Sequence, residues 1–162
     1  MLLLYLIPLA LIVAADQITK VKVSAMELGQ TVPGVKGLFD VTYVQNRGAA
    51  FGAFQGRKLL LVAVTLLVFA VIVAYVIKKR PTSKWLMWSL TLICAGGLGN
   101  LIDRVALGYV RDFIQVTFTR FPVFNIADCG VTGGAVMLAL YILIEEHRRG
   151  EDDFDSDSGC PQ

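Results

Sequence analysis

The chain has 162 residues, 56% of them hydrophobic and only 17% charged, well below the roughly 25% charged residues of a soluble domain. That composition excludes an ordinary water-soluble globule. The formal charge of +2 is spread over several loops, which excludes a concentrated nucleic-acid-binding patch.

The first predicted element spans about residues 2–24. It is uncharged through Ala15 and then carries Asp16, Lys20 and Lys22. Val13-Ala14-Ala15 resembles a signal-peptide cleavage site, but no basic residue precedes the apolar run, and the pattern resumes at Ile18, Val21 and Val23. A retained membrane helix is the expectation. Asp16 and Lys20 stand i,i+4 with the acid first, the better orientation for an ion pair. Such a pair either satisfies itself at the membrane interface or supports a site.

Residues 26–58 are too irregular for a helix. The alternation Phe39-Asp40-Val41-Thr42-Tyr43-Val44 predicts a short strand, and Pro33, Gly34 and Gly37 punctuate the approach to it. Gly48, Gly52 and Gly56 allow the Ala49-Ala50-Phe51 region to bend along a membrane surface.

Three further apolar runs, at about residues 59–77, 85–102 and 126–144, approach the ~20 residues a spanning helix needs. The last contains only Asp128 as a charge. Lys78, Lys79, Arg80 and Lys84 crowd the short second link with no acid among them, which predicts a cytoplasmic link and both termini on the same side. Gly96, Asn100 and Asp103 share one helix face, where a glycine admits a neighbouring backbone. Asn100 and Asp103 are open to direct chemistry or to a hydrogen-bond network with Arg104.

Residues 103–125 form the second loop on the opposite side. In Val110-Arg111-Asp112-Phe113-Ile114-Gln115-Val116, a period of two sets Asp112 on the apolar face with Val110, Ile114 and Val116. Desolvation there raises a carboxylate's pKa. Pairing with Arg104 or Arg111 is the alternative. Asn125, Asp128 and Thr132 share a face at the start of the last helix, whose dipole favours negative charge at Asp128. Two carboxylates in unlike surroundings suit general acid and base work.

Polar groups at membrane depth mark function, and here they gather at one side: Asp16, Lys20, Asn46, Asn100, Asp103, Arg104, Arg111, Asp112, Asn125 and Asp128. The one histidine, His147, falls on the other side, which excludes a Ser-His-Asp triad or a His-rich zinc site among them. Lys20 and Ser24 offer a Ser-Lys dyad by spacing alone. Cys94, Cys129 and Cys160 show no paired spacing. A small four-helix transporter or channel is the rival class; the absence of internal repeats argues against it. Residues 151–162 are acidic and polar, so disorder is expected there.

The motifs Asp16-Gln17-Ile18-Thr19-Lys20, Asn46-Arg47-Gly48-Ala49-Ala50-Phe51-Gly52, Gly96 to Arg104 with Gly108 to Ile114, and Phe124-Asn125-Ile126-Ala127-Asp128 resemble those of lipoprotein signal peptidase, or signal peptidase II. The match runs from about Asp16 to Ala139, in order and with the family's spacing. The resemblance implies a mainly α membrane protein of the bacterial inner membrane. It would have four transmembrane helices, cytoplasmic termini, a small extracytoplasmic β-cradle and an interfacial helix. It further implies an aspartic endopeptidase that cleaves prolipoprotein signal peptides before the diacylglyceryl-modified cysteine among membrane lipid; a monomer that needs no cofactor or metal is the expectation. Globomycin is implied as an inhibitor. By the family's pattern Asp112 and Asp128 form the catalytic pair, and Asp16, Lys20, Asn46, Gly48, Asn100, Asp103, Arg104, Asn125 and Ala127 take supporting or inhibitor-contacting positions.

Overall fold

The computed structural model describes residues 3–49 and 53–157, with backbone alone from residue 149 onward. Four helices, α1 (Leu3–Val23), α2 (Lys58–Lys79), α3 (Lys84–Ala106) and α4 (Ile126–Asp157), accompany three strands, β1 (Thr31–Val35), β2 (Phe39–Asn46) and β3 (Val110–Val116). Each helix contains a stretch long and apolar enough to cross a membrane. The helices match the apolar runs, with α3 reaching four residues past Ile102 to Ala106. α1 is continuous through Ala15.

Ser83 caps the start of α3 by accepting a hydrogen bond from Leu86 N, which satisfies one of the free N–H groups of its first turn. α3 and α4 pack closely because both present glycines. A Cβ on Gly96 would overlap the carbonyl of Ala127, and one on Gly134 would lie 2.7 Å from Ser89 O. Contact this close replaces the hydrophobic drive that lipid removes. α2 buries none of its residues and packs chiefly on α3, so its exposed apolar side chains suit a lipid environment.

The strands form one antiparallel sheet in the order β1-β2-β3, at the end of the bundle where α1 and α3 finish and α2 and α4 begin. Pro33 sits in β1, an edge strand, where its missing donor costs least. Between β2 and β3, Val41 opposes Ile114 and Val44 opposes Asp112, so β2 carries one extra residue. That bulge lets residues three apart on β2 share the face of Ile114 and Asp112. Asn46, opposite Val110, is thereby a diagonal neighbour of Asp112 on the same face. A cluster of Val23, Tyr43 and Phe113, with Val41, Ile114 and Ile126 packed against it, joins the sheet to α1 and α4.

Of the expected interfacial segment, around Ala49 to Phe54, residues 50–52 lie outside the described residues, and Ala53 and Phe54 lie in a turn. The acidic stretch expected to be disordered continues α4 as far as Asp157. Composition weighs only what a segment buries by itself, whereas extending an existing helix needs no new nucleus. Residues 158–162 lie outside the described residues.

Candidate active site

α4 begins with Asn125 and Asp128 capping each other. Asp128 N donates to Asn125 Oδ1 at 2.9 Å, and Asn125 N donates to Asp128 Oδ2 at 3.1 Å. This is the reciprocal arrangement of a capping box, with Asp in the place where Glu or Gln is usual. It fixes the Asp128 carboxylate against the first turn of α4. Asn100 Nδ2, from α3, donates to its other oxygen at 2.7 Å.

β3 brings Asp112 to the same place. Asn125 Nδ2 donates to Asp112 Oδ1 at 2.6 Å, and Asn46 Nδ2 donates to Asp112 Oδ2 at 2.9 Å. Asn46 is itself oriented, because its Oδ1 accepts from Gly48 N at 2.9 Å and only its amide is left to face Asp112. Arg104 Nη2 donates to Gly48 O at 3.2 Å. Asp112 is 1% exposed, and no ion pair among the described residues includes Asp112 or Asp128. Burial, with the negative charge of Asp128 adding to it, pushes the Asp112 carboxyl from an ordinary 3.8 up to about 7. The two asparagine donors oppose that rise.

Behind this pair lies a buried charge cluster. Lys20 Nζ stands 2.9 Å from Asp16 Oδ2 and 3.6 Å from Asp103 Oδ2, and Arg111 Nη2 stands 2.6 Å from Asp103 Oδ1. Two cations and two carboxylates therefore neutralise one another away from water, the condition under which buried charges are tolerated. Asp16 Oδ1 also accepts from Ala127 N at 2.9 Å, a free N–H at the positive end of α4. A Cβ on Gly99 would fall 2.5 Å from Asp16 Oδ2, so only glycine admits the carboxylate there.

Lys20 reaches the site through Asn100. Its Nζ donates to Asn100 Oδ1 at 2.9 Å, and Asn125 Nδ2 donates to that oxygen at 3.1 Å. With its carbonyl engaged by two donors, Asn100 turns its amide toward Asp128.

Every site residue expected from sequence thus converges at the sheet end of the bundle. Of the alternatives, Asp112 pairs with neither Arg104 nor Arg111; Arg111 pairs with Asp103. Adjacent strand residues point to opposite faces, so Arg111 and Asp112 cannot serve one partner. Ser24 Oγ donates to the carbonyl of Lys20 at 2.8 Å, while the Lys20 ammonium is engaged elsewhere, so the spacing that suggested a Ser-Lys dyad does not produce one. Gln17 was not anticipated. Its amide donates to Gly99 O at 3.0 Å and Asp16 Oδ2 at 3.1 Å, and its carbonyl accepts from Arg111 Nη2 at 3.0 Å. The available signal was a polar residue three positions before Lys20 on one helix face.

A cavity of about 680 Å³ extends from the two carboxylates between α2, α3 and α4, walled by apolar side chains including Val64, Val68 and Ile93. Among the described residues, no group of three or more His, Cys, Asp or Glu side chains is placed to hold a metal ion. The arrangement offers two adjacent carboxylates with different hydrogen-bond surroundings at the head of a long apolar slot.

Comparison with known proteins agrees with this architecture. A family model described as signal peptidase (SPase) II matches residues 8–144. A lipoprotein signal peptidase from Clostridium acetobutylicum is 43% identical over 141 residues, covering 85% of this chain and 92% of that protein. One from Enterococcus faecalis is 35% identical over 147 residues, covering 90% and 91%. A bacterial membrane enzyme structure obtained by the in meso method at 2.3 Å resolution superposes with a TM-score of 0.84 at 30% identity, covering 88% of each chain. A second, at 1.9 Å, gives 0.79 at 30% identity.

Proposed function

The chain belongs to the signal peptidase (SPase) II family, and we propose that it is an aspartic endopeptidase in which Asp112 and Asp128 are the catalytic pair. It is a multi-pass membrane hydrolase of lipoprotein precursors; in our reading, it cuts each signal peptide just before the diacylglyceryl-modified cysteine. The observation that carries the reading is the pair itself: two carboxylates joined through Asn125, in no ion pair among the described residues, at the head of the cavity.

In the proposed reaction, ionised Asp128 takes a proton from a water that attacks the scissile carbonyl. Protonated Asp112 donates a hydrogen bond to the carbonyl oxygen as negative charge develops there. The tetrahedral intermediate collapses by breaking its C–N bond, the leaving amine taking the proton held by Asp128. The lipid-modified chain departs with a free amino terminus and the signal peptide with a new carboxylate. Asn100, turned by Lys20, donates to Asp128 in its charged form, and Asn46 and Asn125 orient Asp112. Asp16, Asp103, Arg104, Gly48 and Ala127 hold these asparagines and the start of α4 in place.

The substrate's signal helix would occupy the cavity between α2, α3 and α4, with its acyl chains toward lipid. The acid-free basic link at Lys78–Lys84 favours cytoplasmic termini and an extracytoplasmic site in a bacterial inner membrane, and globomycin-type inhibitors would occupy the carboxylate pair. Asp16, the charge that motivated the transporter alternative, is taken up by Lys20 and Ala127 N.

The test is product mapping. Purified protein in detergent, given a diacylglyceryl-modified precursor, should release a fragment whose new amino terminus is the modified cysteine, read by mass spectrometry. Cleavage elsewhere, or none, would overturn the proposal.

A further inference from the structure

α4 carries glycine at positions 130, 133 and 134, and they are not equivalent. Gly130 and Gly134 face α3, where an added Cβ would lie 3.3 Å from Leu92 O and 2.7 Å from Ser89 O respectively. These two are explained by helix packing. At Gly133 an added Cβ would meet no atom within 4 Å, and its φ lies outside the left-handed region. Glycine inside a helix is disfavoured relative to alanine, so neither packing nor backbone geometry accounts for it.

Gly133 lines the cavity, as do Cys129 one turn before it and Asp128. It lies five residues beyond Asp128, roughly 7.5 Å along the helix at 1.5 Å per residue. On the other walls, α2 presents Val64 and Val68 and α3 presents Ile93; α3 also contributes Gly97, but an added Cβ there would lie 2.8 Å from the Phe69 ring, so that space is already filled. The absent side chain therefore widens the slot locally, a short step from the carboxylates.

We infer that Gly133 is a specificity-determining position, whose vacated space receives a bulky apolar side chain of the substrate's signal segment just before the cleaved bond. This rests on the proposed peptidase function. The rise along the helix from Asp128 corresponds to at least about two residues of extended chain at ~3.3 Å each, so the side chain concerned lies a few residues before the bond. A signal-segment side chain is the favoured occupant over an acyl chain, because a linear acyl chain threads a slot of uniform width, whereas a branched or aromatic group needs local room.

The experiment compares wild type, Gly133→Ala and Gly133→Leu on diacylglyceryl-modified precursors in which successive residues before the bond are changed from Ala to Phe. At the one position whose side chain enters the space beside Gly133, wild type should cleave the Ala and Phe forms comparably. Gly133→Leu should cleave the Phe form at one position at least tenfold more slowly, by kcat/KM, than the matching Ala form, and Gly133→Ala should show the same discrimination to a smaller degree. Thermal midpoints of both variants should equal or exceed wild type, while Gly134→Ala should fall below it. The inference is overturned if Gly133→Leu slows every precursor alike, matches wild type throughout, or discriminates acyl length instead of side-chain size. It is also overturned if its thermal midpoint drops, since the protein itself would then fill the space. A wild type that cleaves no precursor fails the peptidase function first and takes this inference with it.

Discussion

Asn125 holds Asp112 directly, its Nδ2 donating to Asp112 Oδ1 at 2.6 Å, while the same residue caps α4 through its Oδ1. The two jobs are separable by substitution. Asn125→Ser keeps a capping oxygen of equal rank but lacks the length to reach Asp112. Its thermal midpoint should stay close to wild type while kcat falls about 10- to 100-fold, the equivalent of one hydrogen bond to a charged or developing-charge group, roughly 1.5–3 kcal/mol. Asn125→Ala, which removes both, should lose a further ~1 kcal/mol of stability in chemical denaturation.

The raised pKa of Asp112 sets a pH dependence. Because its carboxyl moves from 3.8 up to about 7 on folding, the folded state binds this proton more tightly than the unfolded state. Its contribution to stability is fully present below pH 3.8, is lost as pH rises from there to about 7, and is constant above. The loss is at most about 4 kcal/mol. Thermal midpoints in detergent across that range should decline for wild type and decline less for Asp112→Asn. Activity should share the limb: with Asp112 acting in its protonated form, kcat/KM falls as pH rises through about 7, the observed value belonging to the carboxylate pair.

Lys20 joins the buried charge cluster to the site, so its removal should act on both. Lys20→Met leaves Asp16 and Asp103 facing each other without their shared cation, which costs about 3–5 kcal/mol for a broken buried pair. It also frees Asn100 to turn its carbonyl toward Asp128. A lowered denaturation midpoint together with a kcat loss beyond tenfold is expected; loss of stability with kcat unchanged would separate the cluster from the site.

Ser24 supplies a negative control. Its hydroxyl is spent on the Lys20 carbonyl, so Ser24→Ala should retain kcat within about twofold and change stability by less than about 1 kcal/mol. A collapse of activity would revive a Ser-Lys mechanism.

Much of this architecture was legible in sequence because hydropathy reports membrane helices directly, one span at a time. The Asp16–Lys20 pair was legible for the same reason: both partners lie on one helix. The period of two placed Asp112 on a strand, and helical spacing grouped Asn125 with Asp128. What escaped was contact between elements. Nothing local to α1 indicates that Gln17 meets Arg111 of β3, and nothing local to β2 reveals the extra residue between Val41 and Val44 that turns Asn46 toward Asp112. Asp103 was open to direct chemistry or to a network with Arg104, and it bonds instead to Arg111, because strand alternation sends Arg111 away from Asp112 and into the bundle. The choice of Asp112 over Asp103 as a catalytic residue came from the family resemblance. Among the described residues Asp103 is paired with two cations and Asp112 with none, a difference that no one-dimensional pattern carries.

The most direct measurement is signal-peptide release from a diacylglyceryl-modified precursor by purified Asp112→Asn and Asp128→Asn in detergent, with folding checked by thermal midpoint. Both variants should be folded and slowed at least 10³-fold, a general acid or base typically contributing about 10²- to 10⁴-fold. Cleavage near the wild-type rate by either folded variant would contradict the carboxylate pair.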